Sequence, residues 1–260
     1  TRQGGPASFC DLDGDGKLDC LMGGDNSTMV FARNLGSPGI ISFENNQPFS
    51  IGMPSAKPIT GDLDGDGRPD IVGISYDGQG FVVLRNTSSP GYISVEKTNS
   101  VLTGPSTTRP MDGIIYDLDG DGRPDIVIAN YYSHTLSVFR NLSNPGSITL
   151  DNRVDYNLGG YPTGVSARDL DGDARPDLLV SVNSSGGSIL RNTSMPGTIR
   201  FANKVDFSAD SWPDGIAGTD FDGDGMVDIA INNINSNNIS VYRNISTNGV
   251  INLEAGQNLP

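Results

Sequence analysis

An all-β fold of repeated four-stranded antiparallel units, of the β-propeller class, is predicted by three recurrences in the sequence. The motif Asp-x-Asp-Gly-Asp-x-x-x-Asp begins at Asp11, Asp62, Asp117, Asp169 and Asp220, at intervals of 51, 55, 52 and 51 residues. An Arg-Asn pair follows each copy at a near-constant distance: Arg33-Asn34, Arg85-Asn86, Arg140-Asn141, Arg191-Asn192 and Arg243-Asn244. A Pro-Gly pair comes next, at Pro38-Gly39, Pro90-Gly91, Pro145-Gly146 and Pro196-Gly197, with Asn248-Gly249 in the fifth copy. A fixed period of this length marks a stacked array of one supersecondary unit.

The fourth copy shows the elements in order. Val165–Leu170 leads into the Asp loop as a first strand, and Leu178–Val182 leaves it as a second. Asn183–Gly186 turns the chain into a third strand, Ser188–Arg191. Pro196-Gly197 suits the centre of a type II turn, because Gly accepts a positive φ there. Thr198–Phe207 then reads as a fourth strand. One such meander cannot bury both faces, and radial stacking of 4–8 blades solves that problem. Residues 1–260 therefore read as a single β-propeller domain, with repeats of approximately 1–52, 53–107, 108–159, 160–210 and 211–260. Five repeats make a closed five-bladed ring or part of a larger propeller or array. No exchange of terminal strands is expected, since the chain starts near a first strand and ends after a fourth.

Composition agrees. The 34 Gly and 16 Pro in 260 residues indicate frequent turns, and the 35% hydrophobic content suffices for a thin core. No apolar run approaches the roughly 20 residues of a membrane span. A net charge of −14 argues against a nucleic-acid partner. Twenty of the 31 Asp and Glu fall in the five Asp motifs.

Four carboxylates within nine residues repel one another unless a cation sits among them, and Ca²⁺ takes six to eight oxygen ligands in flexible geometry. The expected carboxylate ligands are Asp11, Asp13, Asp15 and Asp19 in the first loop and Asp62, Asp64, Asp66 and Asp70 in the second. Asp117, Asp119, Asp121 and Asp125 serve the third, Asp169, Asp171, Asp173 and Asp177 the fourth, and Asp220, Asp222, Asp224 and Asp228 the fifth. The carbonyls of Lys17, Arg68, Arg123, Arg175 and Met226 are further candidates. Ala174 replaces the second loop glycine of the other copies, so the fourth site is expected to be strained or weaker. An EF-hand is excluded by the strand-like flanks and the missing Glu at its twelfth position. About five Ca²⁺ ions would bring the charge from −14 to −4, since 5 × (+2) = +10.

These loops resemble FG-GAP or VCBS repeats, the unit of the integrin α-subunit propeller and of many bacterial surface proteins. The segments 117–149 and 169–204 look especially like bacterial VCBS arrays, through Asp-Leu-Asp-Gly-Asp-x-Arg-Pro-Asp followed by Arg-Asn-x-Ser-x-Pro-Gly-x-Ile. The resemblance implies a propeller with Ca²⁺ loops between strands one and two of each blade, on one face. It implies no particular ligand, because such repeats occur in adhesins, lectins and accessory domains of enzymes.

Cys10 and Cys20, the only cysteines, flank the first Asp loop and suggest a cross-strand disulfide in an oxidising compartment. The sequons at Asn26, Asn86, Asn141, Asn183, Asn192, Asn238 and Asn244 read chiefly as turn chemistry, with exposed glycan acceptors as the alternative. His134 is the only histidine, and no nucleophile or phosphate-binding motif is present, so no enzyme activity is expected. Aromatic residues break the repeat in loops expected opposite the Asp loops. Tyr76, Tyr131, Tyr132, His134, Tyr161 and Trp212 form a candidate ligand face, or pack where strands enter the ring. The expectation is an extracellular or cell-surface binding and adhesion module for a glycan or protein. The alternative is a structural unit whose copies pack into a surface array or filament.

Overall fold

The computed structural model describes residues 7–24, 27–45, 47–54, 56–77, 80–103 and 108–260, and shows five antiparallel sheets of four strands each. The chain packs as two compact units, Thr1–Pro110 with Asn141–Asn152, and Met111–Arg140 with Arg153–Pro260. The first unit holds the sheets β1 (Ala7–Cys10), β2 (Asp19–Gly23), β3 (Thr28–Ala32), β4 (Gln47–Ser50) and β5 (Ala56–Gly61), β6 (Asp70–Ser75), β7 (Gly80–Asn86), β8 (Val95–Leu102). The second holds β9 (Pro110–Tyr116), β10 (Asp125–Asn130), β11 (Thr135–Phe139), β12 (Val154–Asn157) and β13 (Pro162–Arg168), β14 (Asp177–Val182), β15 (Gly186–Leu190), β16 (Val205–Phe207). Its last sheet is β17 (Pro213–Thr219), β18 (Asp228–Asn233), β19 (Asn238–Tyr242), β20 (Gln257–Leu259). Each sheet is a meander of sequential strands, one propeller blade.

The inner strands are apolar on both faces. In β6, β10 and β14 every residue is buried, including the runs Ile71-Val72, Ile126-Val127-Ile128 and Leu178-Leu179-Val180. Such runs suit strands covered on both sides. In the first unit Leu12, Leu21 and Phe31 pack with Ile71, Val82 and Leu84 of the next blade. In the second, Leu118, Val127 and Leu136 pack with Leu178 and Val180, and Leu170, Leu179 and Ile189 with Ile229 and Ile231. Burial is thus largest between blades. Short outer strands such as β16 and β20 are largely exposed.

The fourth strand of the fourth blade is shorter than the pattern suggests. Only Val205–Phe207 pairs with β15, where Thr198–Phe207 was expected to form a strand. Side chains divert the backbone. Asn192 Oδ1 accepts the Ser194 N–H at 2.8 Å, while Ser194 Oγ accepts the Arg200 N–H at 3.0 Å. These local bonds compete with ladder bonds and hold residues 192–204 as a loop. Its tip is the expected turn, with Met195 and Thr198 exchanging backbone bonds and Gly197 at φ +90°.

The first-blade register rules out the expected disulfide. Cys10 stands opposite Asp19 and Cys20 opposite Phe9, so the cysteines are one residue out of register. Successive strand side chains point to opposite faces, and the two sulfurs therefore cannot meet. Both are free thiols, and burial pushes the Cys10 thiol up to about 11.

Candidate functional site

Each Asp motif joins the first and second strands of its blade, and each Arg-Asn loop joins the third and fourth, so both lie at one end of the sheet. In the second loop Asp62 accepts the N–H groups of Gly65 at 2.8 Å and Asp66 at 3.2 Å on one oxygen, and Gly67 at 2.8 Å on the other. Gly67 has φ +85°, a region open to glycine at little cost. Asp70, at the loop base, accepts the N–H groups of Leu63 at 2.9 Å and Asn86 at 2.8 Å. Its burial, reinforced by the Asp64 charge, pushes its carboxyl up to about 6 despite those bonds. Asp177 behaves alike beside Asp171 and Asp173. In the fourth loop Ala174 keeps the backbone bond of its glycine counterparts, 2.8 Å to Asp169, at φ +64°. The strain expected there is present.

Carboxylate oxygens of Asp11, Asp13 and Asp15 lie within 4.8 Å of one another, as do those of Asp62, Asp64 and Asp66. Asp117 and Asp119 converge with Asp125, Asp169 and Asp171 with Asp177, and Asp220 and Asp222 with Asp228. Beside each group stands an arginine whose recurrence marked the repeat. Arg85 donates from Nε to Asp64 at 2.6 Å and from Nη2 to Asp66 at 2.9 Å. Arg33, Arg140, Arg191 and Arg243 make the same fork on their own loops. Lys17, Arg68, Arg123 and Arg175 also pair with the third Asp of their loops. In the first four loops four carboxylates thus face two fixed cations, leaving a charge of −2. The donor set is all oxygen, the residual charge matches one divalent ion, and a buried carboxylate in each group would gain from a cation. These residues fit a hard divalent metal. The signal for the arginines was their constant distance from the motif.

The Arg-Asn loops also reach the preceding repeat. Asn86 Nδ2 donates to Pro69 O at 3.0 Å in its own loop and to Leu12 O at 2.9 Å in the repeat before. The Gly91 N–H donates to Asp13 at 2.9 Å. Asn141 and Gly146 do the same to Leu63 and Asp64, Asn192 and Gly197 to Leu118 and Asp119, and Asn244 and Gly249 to Leu170 and Asp171. The amides of Asn86, Asn141, Asn192 and Asn244 are buried and engaged, so these four sequons are structural and not exposed acceptors. Asn26 lies outside the described residues.

At the other end of the sheets, Tyr131 meets Tyr132 edge to face and Tyr161 at a tilt, with ring centroids 5.1 Å and 4.9 Å away, and His134 lies 4.3 Å from Tyr161. Tyr76, in the first unit, is covered by the Arg109 guanidinium, 4.1 Å from its ring centre. Trp212 stands at the connection between the fourth and fifth blades. It borders a cleft of about 350 Å³ lined also by Asn183, Ser184, Ala209, Asp210 and Ser211. Trp212 and His134 have φ near +60°, uncommon for bulky side chains.

The FG-GAP-like repeat family matches at residues 11–73, 117–180 and 169–231, and the chain belongs to that family. Among curated proteins no sequence match is found. Solved structures share the fold. One is BBS1N in complex with ARL6DN, 12% identical with a TM-score of 0.59, aligned over 98% of this chain and 66% of that one. Another is an Agrocybe aegerita lectin that recognises non-reducing terminal N-acetylglucosamine, 17% identical with a TM-score of 0.64, over 97% and 65%. The chain spans just under two thirds of the length of each. At these identities the likeness shows a β-propeller fold and nothing finer.

Proposed function

We propose that the protein is a calcium-stabilised extracellular binding module, without catalytic activity, that takes a glycan at the sheet ends opposite its Asp loops. The observation carrying this reading is the Trp212 cleft. The indole is 44% exposed at its rim, held by a backbone bond from the Ile234 N–H to Trp212 O at 2.9 Å. An exposed indole next to Asp210, Asn183 and Ser184 offers a stacking surface with hydrogen-bonding groups beside it, the chemistry a pyranose ring needs. Tyr132 and Tyr161, both exposed, extend apolar surface at the same end of the preceding blade. That a propeller of the same fold is a lectin supports the reading by analogy. Calcium is the hard divalent ion abundant outside cells, and the all-oxygen loops suit it.

The test is a glycan array with the Trp212→Ala variant. Binding is expected to disappear while the melting temperature in Ca²⁺ stays unchanged. Equal loss of stability and binding would show that Trp212 only packs.

A further inference from the structure

The residue before the proline that opens a first strand recurs as Arg109, Tyr161 and Trp212, ahead of Pro110, Pro162 and Pro213. Each faces the turn that follows the second strand of the blade before. Arg109 covers the Tyr76 ring, its guanidinium 4.1 Å from the ring centre. Tyr161 meets Tyr131 at 4.9 Å and His134 at 4.3 Å between ring centroids. At the third junction the turn begins with Asn183 and Ser184 where the others begin with tyrosine. The Trp212 indole therefore meets no ring among the described residues, and the cleft beside it stands open. It is an unfilled copy of a contact the fold makes twice.

Asn183 also ties this cleft to the aromatic group of the previous junction. It lines the cleft, and its N–H donates to Tyr161 O at 2.8 Å. Tyr161 contacts Tyr131, which meets Tyr132, a residue 52% exposed. Trp212, Asn183, Tyr161 and Tyr132 thus make one continuous track within the second unit. Asp210 is fixed in the cleft wall by Asn238 Nδ2 at 2.8 Å and by the Ser211 N–H at 2.9 Å. Neither Lys nor Arg lines the cleft among the described residues, so a carboxylated or sulfated sugar would meet only the negative charge of Asp210. Asn183 Nδ2, buried without a hydrogen-bond partner, is a donor in want of an acceptor, which a hydroxyl supplies and an ammonium does not.

The geometry points to an uncharged linear oligosaccharide as the ligand, with one ring on Trp212 and the next running past Asn183 to Tyr161 and Tyr132. Asp210 accepts from its hydroxyls and Asn183 donates to them. This rests on the glycan reading of the cleft and adds the class of glycan, a neutral chain in place of a single terminal sugar.

Trp212 is the only tryptophan, so its fluorescence reads occupancy of the cleft directly. The test titrates the full chain in Ca²⁺ with cello-, malto-, xylo- and manno-oligosaccharides of one to six units, and with oligogalacturonates as the acidic counterpart. In a series that binds, affinity should rise about tenfold from one unit to three and then level off, the gain expected of added ring stacking. Oligogalacturonates should leave the emission unchanged. Tyr161→Ala should flatten the dependence on length, and Tyr132→Ala, at a more exposed position, applies the same test should Tyr161→Ala fold poorly. Affinity independent of length, a gain that survives both substitutions, or binding of oligogalacturonates would overturn the proposal and leave the glycan reading standing. Silence toward every uncharged series would overturn it too, and a blank glycan array besides would remove the reading beneath it.

Discussion

Replacing Ala174 with glycine isolates the backbone strain of the fourth Asp loop from every other contribution. The four equivalent glycines, Gly16, Gly67, Gly122 and Gly225, have φ between +85° and +87°, and a Cβ built on them meets nothing within 4 Å. Ala174 is exposed at φ +64°, so its methyl group makes no packing contribution to lose. A left-handed conformation costs an L-residue about 1–2 kcal/mol. The greater freedom of glycine in the unfolded chain offsets roughly 0.5–1 kcal/mol of that. Ala174→Gly should therefore stabilise the protein by about 0.5–1 kcal/mol, raising Tm by about 1–4 °C for a chain of this size. Differential scanning calorimetry in saturating Ca²⁺ reads the shift. Gly67→Ala, the reverse change in the second loop, should lower Tm by a similar amount. No rise in the first variant and no fall in the second would show that the loop accommodates a Cβ freely, and the inequality of the sites would then need another cause.

Arg85→Ala should cost about 2–3 kcal/mol, because it leaves the fully buried Asp64 carboxylate without its charged partner. Arg243→Ala removes the same fork from an open site and should cost far less; equal losses in urea unfolding would refute the burial argument. Chelation should destabilise the protein through the uncompensated carboxylates of all five groups, measured as a fall in Tm with EGTA that Ca²⁺ reverses. An unchanged Tm would mean that the arginine forks alone neutralise the loops.

Much of this was legible in the sequence because it repeats. The spacing of the Asp motifs placed five blades, and Pro196-Gly197 placed a turn that the backbone confirms. The fourth strand of the fourth copy was overestimated because Asn192 and Ser194 act on backbone several residues away, which alternation of side chains cannot reveal. The cysteine pair failed for a related reason. Cys10 and Cys20 flank the loop evenly in sequence, yet Cys10 pairs with Asp19, and one residue of register decides which face a side chain takes. Arg33 and its counterparts stood out only as a repeat marker, since a sequence records that they recur but not what they reach. Trp212 stood out as a break in the repeat, and its cleft required the neighbouring connection to be placed.

The reach of each Asn and Gly into the preceding Asp loop makes order along the chain matter. Gly91 completes the surroundings of Asp13, and Gly249 those of Asp171. Any ion affinity at one loop would then depend on its successor's folding as well as on its own sequence, and by linkage an ion bound there would stabilise that successor. In a nearest-neighbour description, damage to a repeat should be felt at the metal site upstream before the one downstream. Cations bound along such an array would each lock the repeat that follows, and a break would leave one orphaned site on its N-terminal side.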